Sequence, residues 1–196
     1  KTMSSIKLTA DSGGGTFELK APSSSANTRS FTLPDVATGL GGIQEVDQWY
    51  LTTNITSNGD ITGNLSRNTL TGSGCPLGTG MTESSGVFSF PSTGKYLVIC
   101  QAHVGCDDSD NVYILTKVTV NNGGAYATVA SAGDGNNGSG SREGQGITFY
   151  LLDVTDVGQV KVKFEVTSLG GGGSSYVKGQ ASDMSTAFHF IRIGDT

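Results

Sequence analysis

The sequence predicts an all-β fold, an antiparallel sandwich of the jelly-roll type, preceded by a short β-rich arm. Helical signals are nearly absent: no window keeps an apolar period of 3.6 residues, and 30 of the 196 residues are glycine. Apolar and polar residues instead alternate in short runs between turn signals, which is the strand pattern. About eight such runs follow one another at a spacing that suits a sandwich or jelly roll.

The arm comprises residues 1–42 and contains three short strands. Each strand carries two apolar residues on one face, and the six are Ile6, Leu8, Phe17, Leu19, Phe31 and Leu33. Fully burying six such side chains stabilises a fold by about 9–18 kcal/mol. Ordering about forty residues costs more, at about 1–2 kcal/mol each for the backbone. We therefore expect the arm to dock on the next domain, on sister chains or on a larger body, and to anchor the protein.

The second domain is predicted to span residues 43–196, after the glycine-rich joint at 39–42. Its first strand is 49–55. Turn residues then separate pairs of strand-like segments, and each pair reads as a hairpin. The three predicted hairpins are 85–90 with 95–103, 112–120 with 125–130, and 147–154 with 160–166.

Alternation assigns the core face of the last hairpin. Its core residues are predicted to be Val160, Val162, Phe164 and Val166, which alternate with charged residues. Strand 187–193 completes the set. The Gly-rich segments 133–146 and 169–175 are predicted to be long surface loops.

Strands 147–154 and 187–193 are apolar on both faces. A sandwich buries only one face of each sheet, so something else must cover the second face. A loop or the arm could do so. We favour a subunit interface because aromatic residues dominate these strands. The residues predicted to form it are Phe149, Leu151, Phe188 and Phe190.

No catalytic or metal site emerges from the motifs. Cys100, His103 and Cys106 resemble a metal-ligand string, but in a strand the two cysteines share one face and the histidine takes the other. The acidic segment 107–111 offers oxygen ligands of the kind calcium accepts, yet it lacks the Gly and terminal Glu of a calcium loop. We interpret it as a solvated turn and leave calcium binding open. The sequence also lacks a nucleophile elbow and a phosphate-binding loop, so we predict neither enzyme activity nor a cofactor.

Charge and cysteine content exclude further classes. The formal net charge is −5, from 12 basic and 17 acidic residues, and no Lys/Arg cluster is present. This argues against nucleic-acid binding. No apolar run reaches the ~20 residues of a membrane span, and the N-terminus has no signal-peptide core. The odd count of 3 cysteines argues against a disulfide framework, so we expect reduced thiols.

Two resemblances refine these expectations. Residues 88–96, FSFPSTGKY, resemble the F-x5-G-x-Y signature of complement globular-head and tumour-necrosis-factor (TNF)-like jelly rolls, which implies a compact trimer for residues 43–196. The second resemblance is to small virion proteins of marine tailed phages. It rests on segments near both ends and in the middle of the chain: SSIKLT at 4–9, KAPSS at 20–24, FTLP at 31–34, SSGVFSFP at 84–91 and FHFIRIGDT at 188–196.

The phage resemblance implies a structural or fibre-like virion component without catalytic residues. The leading hypothesis is therefore a homotrimeric knob on a phage capsid or fibre, assembled in the bacterial cytoplasm and bound through its arm to other virion proteins. The alternatives are a host-recognition module that binds surface glycan through 133–146 and 169–175, near Tyr176, and a secreted TNF-type ligand. The absent signal-peptide core argues against the secreted ligand.

Overall fold

The computed structural model describes residues 5–9, 16–20, 42–170 and 174–196, and it divides the chain into the units Lys1–Gly41 and Gly42–Thr196. In the first unit β1 (Ser5–Thr9) and β2 (Thr16–Lys20) form an antiparallel pair. The register places Ile6 opposite Leu19 and Leu8 opposite Phe17. Predicted strand 31–33, with Phe31 and Leu33, lies outside the described residues.

The second unit consists of strands and connecting turns. Across its described residues there is no helix, and so no helix that could cross a membrane. The strands are β3 (Glu45–Leu51), β4 (Thr53–Ile55), β5 (Gly59–Asp60), β6 (Leu65–Arg67), β7 (Thr82–Ser84), β8 (Val87–Ser89), β9 (Gly94–Cys106), β10 (Asn111–Thr119), β11 (Ala127–Gly135), β12 (Arg142–Val154), β13 (Lys161–Thr167), β14 (Tyr176–Gln180) and β15 (Ala187–Gly194).

These strands build two antiparallel sheets. Sheet I has the order β4-β14-β9-β15-β3-β6, and β12 pairs with the other edge of β9 along the whole length of both strands. Sheet II has the order β11-β10-β13-β8-β7, with the short β5 also on β13. The all-β jelly-roll prediction is confirmed.

Aromatic rings fill the space between the two sheets. Phe164 of sheet II stacks on Phe188 of sheet I with ring centroids 4.1 Å apart, and Phe88 lies 4.9 Å from Phe190. All four rings are buried. The predicted core residues Val160, Val162, Phe164 and Val166 are also buried, so the alternation identified the core face correctly.

Only one of the three predicted hairpins is confirmed. β10 pairs with β11 around the 121–124 turn. The prediction is wrong for 147–154 with 160–166, because β12 pairs with β9 in sheet I and β13 joins sheet II. It is wrong in the same way for β8 and β9. In both cases the turn carries the chain from one sheet to the other.

The predicted loop at 133–146 is mostly strand. β11 continues to Gly135 and β12 begins at Arg142, which leaves 136–141 as the connection. Glycines at 133 and 146 allow the two strands to approach closely: a Cβ at Gly146 would lie 2.6 Å from the Gly133 nitrogen. The glycine content of this segment thus serves close strand packing.

Candidate functional site

The outer face of sheet I, which points away from the core, carries the strongest candidate for a functional surface. One row of paired residues crosses four strands from Leu151 through Leu97 and Ile191 to Val46. The neighbouring row begins with Phe149 and Ile99. We define the apolar band as Val46, Leu97, Ile99, Ile147, Phe149, Leu151 and Ile191.

The band is most exposed along β12. Ile147, Phe149 and Leu151 are 50%, 64% and 55% exposed, whereas the band residues on β9, β15 and β3 are half-buried. Adjacent apolar side chains on four strands form a continuous patch rather than scattered single residues. Patches of this kind typically mark protein–protein contacts.

Polar groups close the band at both ends. At one end Lys95 Nζ lies 2.6 Å from Asp153 Oδ2. At the other end Glu143 accepts a hydrogen bond from Tyr176 Oη at 2.8 Å and lies 3.1 Å from His103 Nε2. These two contacts, the Tyr176 hydroxyl first, hold the pKa of Glu143 below its usual range. An apolar centre with a polar rim is the usual anatomy of an interface.

The second row of the band continues from Phe149 and Ile99 to His189 and Gln48. His189 is partly buried, and burial lowers the pKa of its imidazole. Its Nδ1 lies 3.1 Å from Gln48 Nε2. This polar pair adjoins the apolar residues of the band.

Two of the four predicted interface residues lie elsewhere. Phe188 and Phe190 are 0% and 1% exposed and point into the core, so assigning them to a subunit contact is wrong. Both faces of β15 are apolar, and the large rings occupy the face that fills the gap between the sheets. Ile191, on the opposite face, takes their place in the band. Phe149 and Leu151 are on the surface, as that prediction requires.

A second apolar surface lies where the two sheets end side by side. A groove of about 400 Å³ runs between β10, β11 and β12 and is lined mainly by Val118, Val120, Tyr126, Val129 and Tyr150. We call it the edge groove. Tyr150 and Phe149 are neighbours on β12 that point to opposite faces, so the edge groove and the apolar band adjoin along this strand.

A buried carboxylate holds the 68–81 segment against β3. Asp47 is 1% exposed and accepts hydrogen bonds from Met81 N at 2.7 Å and Trp49 Nε1 at 2.9 Å. Arg67 donates to it through Nε and Nη2, at 3.1–3.2 Å. The thiol of Cys75 donates to the same group, and burial together with this contact raises the pKa of the thiol to about 11. The sequence offered no signal for this cluster, because its members lie far apart in the chain.

The Cys100-His103-Cys106 string does not converge. Both cysteines are buried on the core face of β9, whereas His103 points to the outer face and contacts Glu143. Burial raises the pKa of both thiols, and all three cysteines of the chain, Cys75 included, are free. The prediction that 100 and 106 share a face opposite to 103 is confirmed.

The acidic segment 107–111 is tied to neighbouring loops by hydrogen bonds. Asp110 Oδ2 accepts from Ser175 Oγ at 2.6 Å, Asp108 Oδ1 from Gly140 N at 2.7 Å and Asp107 Oδ1 from Ser141 Oγ at 3.1 Å. The three carboxylates reach different partners. Within the described part of the chain, no group of three or more His, Cys, Asp or Glu is placed to hold a metal ion.

The contribution of β9 to the band was not predicted from the sequence. Leu97 and Ile99 alternate with Tyr96, Val98 and Cys100, so this strand is also apolar on both faces. That pattern is the same signal that singled out 147–154 and 187–193. Applied to 95–103, it would have identified the middle of the band.

Comparisons with known proteins agree with this architecture. No protein-family model matches the sequence, and no curated protein is similar to it. Among solved structures, the chain is similar to Eiger TNF from S. frugiperda, with a TM-score of 0.59 and 13% identity over 77% of this chain and 93% of that one. It is also similar to murine APRIL, with a TM-score of 0.53 and 10% identity over 76% of this chain and 98% of that one. The chain therefore has a TNF-like jelly-roll fold.

Proposed function

We propose that the protein is a non-enzymatic structural subunit that assembles into a homotrimer through its apolar band. The observation that carries this proposal is that Ile147, Phe149 and Leu151 are exposed along β12. Half-buried apolar residues on β9 and β15 continue this surface across the sheet. Leaving such a patch in water is unfavourable, and covering it with a second apolar surface stabilises association by roughly 25 cal/mol per Å² buried.

The edge groove supplies the matching surface. A closed three-fold ring needs a heterologous contact, in which one patch of a subunit meets a different patch of the next. The apolar band and the edge groove are two such patches, and both are built on β12. We propose that the exposed side chains of β12 (Ile147, Phe149 and Leu151) in one subunit pack against the edge groove of a second copy. The same contact repeats around the three-fold axis.

The finer role that we propose is a knob on a phage virion, on the capsid or on a fibre. The support is the resemblance of both chain ends and of residues 84–91 to small phage virion proteins. The arm provides the means of attachment, since β1 and β2 belong to a unit separate from the jelly roll. Residues 1–42 would then bind other virion proteins, and the jelly-roll trimers would project from the particle.

A secreted TNF-type ligand is the second candidate, favoured by the likeness to Eiger TNF and APRIL. The likeness is one of fold, and a fold hosts many functions. The glycan-binding alternative has less support, because the hydroxyl of Tyr176 is engaged by Glu143 and its ring lies against Gly105, where a Cβ would be 2.5 Å away.

Two measurements test the proposal. Sedimentation equilibrium of the intact protein should give three times the mass of one chain, and a single-chain mass would refute the assembly. Antibody labelling of purified phage particles should then decorate the virion. Absence from particles, together with binding of the pure protein to animal cells that present TNF-type receptors, would favour the ligand instead.

A further inference from the structure

We propose that His189 makes the homotrimer sensitive to acid: protonation of its imidazole separates the subunits while each subunit stays folded. The inference rests on the proposed function, because it concerns regulation of the same surface. His189 lies in the Phe149 row, between Ile99 on β9 and Gln48 on β3. Association through the apolar band would cover it.

A chain of hydrogen bonds sets the protonation state of His189. The backbone N–H of Leu70 donates to Asn68 Oδ1 at 3.1 Å, so the amide nitrogen of Asn68 is the group that donates to Gln48 Oε1 at 2.9 Å. Gln48 therefore presents its own Nε2 to His189, at 3.1 Å from Nδ1. Because Gln48 donates, Nδ1 must accept, and the imidazole is neutral with its proton on Nε2.

Protonation conflicts with this chain. An imidazolium carries N–H on both ring nitrogens, so its Nδ1 would meet the Nε2 donor of Gln48. Turning the Gln48 amide would only move the conflict to Asn68, whose orientation is held by a backbone donor. Asn68 is buried, which limits rearrangement.

No charged partner in the described part of the chain offsets the added charge. The neighbours of His189 are Ile99 and Gln101 on β9, Phe149 beyond them on β12, and Gln48 and Tyr50 on β3. The charged groups of this face lie at its ends: Lys95 with Asp153, and Glu143 with His103 and Lys178. Tyr50 donates its hydroxyl to the Ala181 carbonyl.

The sign of the effect follows from burial. In the free subunit, burial already lowers the pKa of His189 below its usual value of 6.5. A second copy on the band removes more water and lowers the pKa further. The separated subunit then binds the proton more readily than the trimer does. The trimer is favoured above the pKa of the free subunit and is lost as the pH falls through it.

The size of the effect follows from the number of protons taken up. Each histidine contributes up to about tenfold per pH unit to the dissociation constant, so three contribute up to about a thousandfold. The window lies below the usual histidine pKa of about 6.5, because burial lowers the pKa of His189 in the free subunit.

The experiment follows the mass of the intact protein by sedimentation from about pH 8 to about pH 5, with circular dichroism on the same samples. We expect the mass to fall from three chains toward one while the β-sheet signal is retained. His189→Gln keeps an oxygen that can accept from Gln48 and cannot titrate, so it should stay assembled at acid pH. The matched control is Val157→Ser, in the turn between β12 and β13 and outside the band, which should dissociate like the wild type.

Each outcome has a separate meaning. A single-chain mass at pH 8 refutes the trimer itself, and the inference falls with it. A wild-type protein that keeps the three-chain mass throughout refutes only the role of His189. A His189→Gln variant that still dissociates in acid, while a His103→Gln variant resists it, refutes that role as well. Loss of the β-sheet signal together with the mass would show acid unfolding and would also overturn the inference.

A second variant keeps the proposal testable if His189→Gln fails to assemble. Gln48→Glu retains one oxygen for Asn68 and offers the other to a protonated His189, so it should raise the imidazole pKa above that of the wild type and abolish dissociation in acid. NMR titration of the His189 ring measures this shift. An unchanged pKa, or wild-type dissociation at a pH where His189 does not titrate, would overturn the inference.

Discussion

Replacing Phe149 with serine is expected to separate the subunits without unfolding them. Phe149 is 64% exposed, so about 130 Å² of the roughly 200 Å² of a phenylalanine side chain is open to water in the single subunit. Covering that area stabilises association by about 3 kcal/mol per subunit, or about 10 kcal/mol per trimer. A loss of this size corresponds to about seven orders of magnitude in the trimer dissociation constant.

The assay is sedimentation at micromolar concentration, combined with thermal unfolding of the same sample. The Phe149→Ser variant should have the mass of one chain and still unfold cooperatively. Val157→Ser is the control, because Val157 is 37% exposed in the turn between β12 and β13, away from the band. A Phe149→Ser variant that keeps the three-chain mass would refute the role of the band, and so would equal dissociation by Val157→Ser.

Four further outcomes are expected. Phe188→Ala should lower the free energy of unfolding, measured by urea denaturation, by about 3–5 kcal/mol, because it removes a buried ring that stacks on Phe164. A loss under about 1 kcal/mol would contradict this. Asp47→Ala should cost about 3–5 kcal/mol, since it leaves Arg67 and buried N–H donors without their acceptor; the control Asp153→Ala, which breaks an exposed pair, should cost about 1 kcal/mol or less. Alkylation of Cys75 by iodoacetamide should keep accelerating up to about pH 11, and a plateau near pH 9 would show an ordinary thiol. Deleting residues 1–42 should leave a trimer that melts cooperatively but no longer binds particles, and a truncated protein that still binds them would place the anchor in the jelly roll.

The alternation of apolar residues predicted the strands well because it reflects burial on one side of a sheet. Val160 to Val166 shows this: its apolar members lie in the core, and its charged members lie on the opposite face, where they are half-buried. Turn residues predicted where strands end, but not which strands pair. The Asp156-Val157-Gly158 turn lies between β12 and β13, which belong to different sheets. The residues of the turn do not show that the chain crosses from one sheet to the other there.

The surface was harder to predict than the fold. Where a strand is apolar on both faces, its sequence does not say which face lies inside. In β15, Phe188 and Phe190 point into the core, whereas Ile191 lies on the outer face. Large rings fill the gap between two sheets better than aliphatic groups do. The Gln48–His189 contact joins residues 141 positions apart. The Asp47 cluster also joins residues that are distant in the chain, so neither arrangement leaves a local pattern in the sequence.

The mass of the intact protein in neutral solution tests the central claim most directly. Sedimentation equilibrium over a hundredfold range of micromolar concentrations, roughly the range in which a stable interface is populated, should fit a single species of three chains. This result is the one required if copies of the same chain cover the band, and the loss of that mass in Phe149→Ser then assigns the contact to the band. A single-chain mass across that range would contradict the assembly and leave the band without its proposed partner.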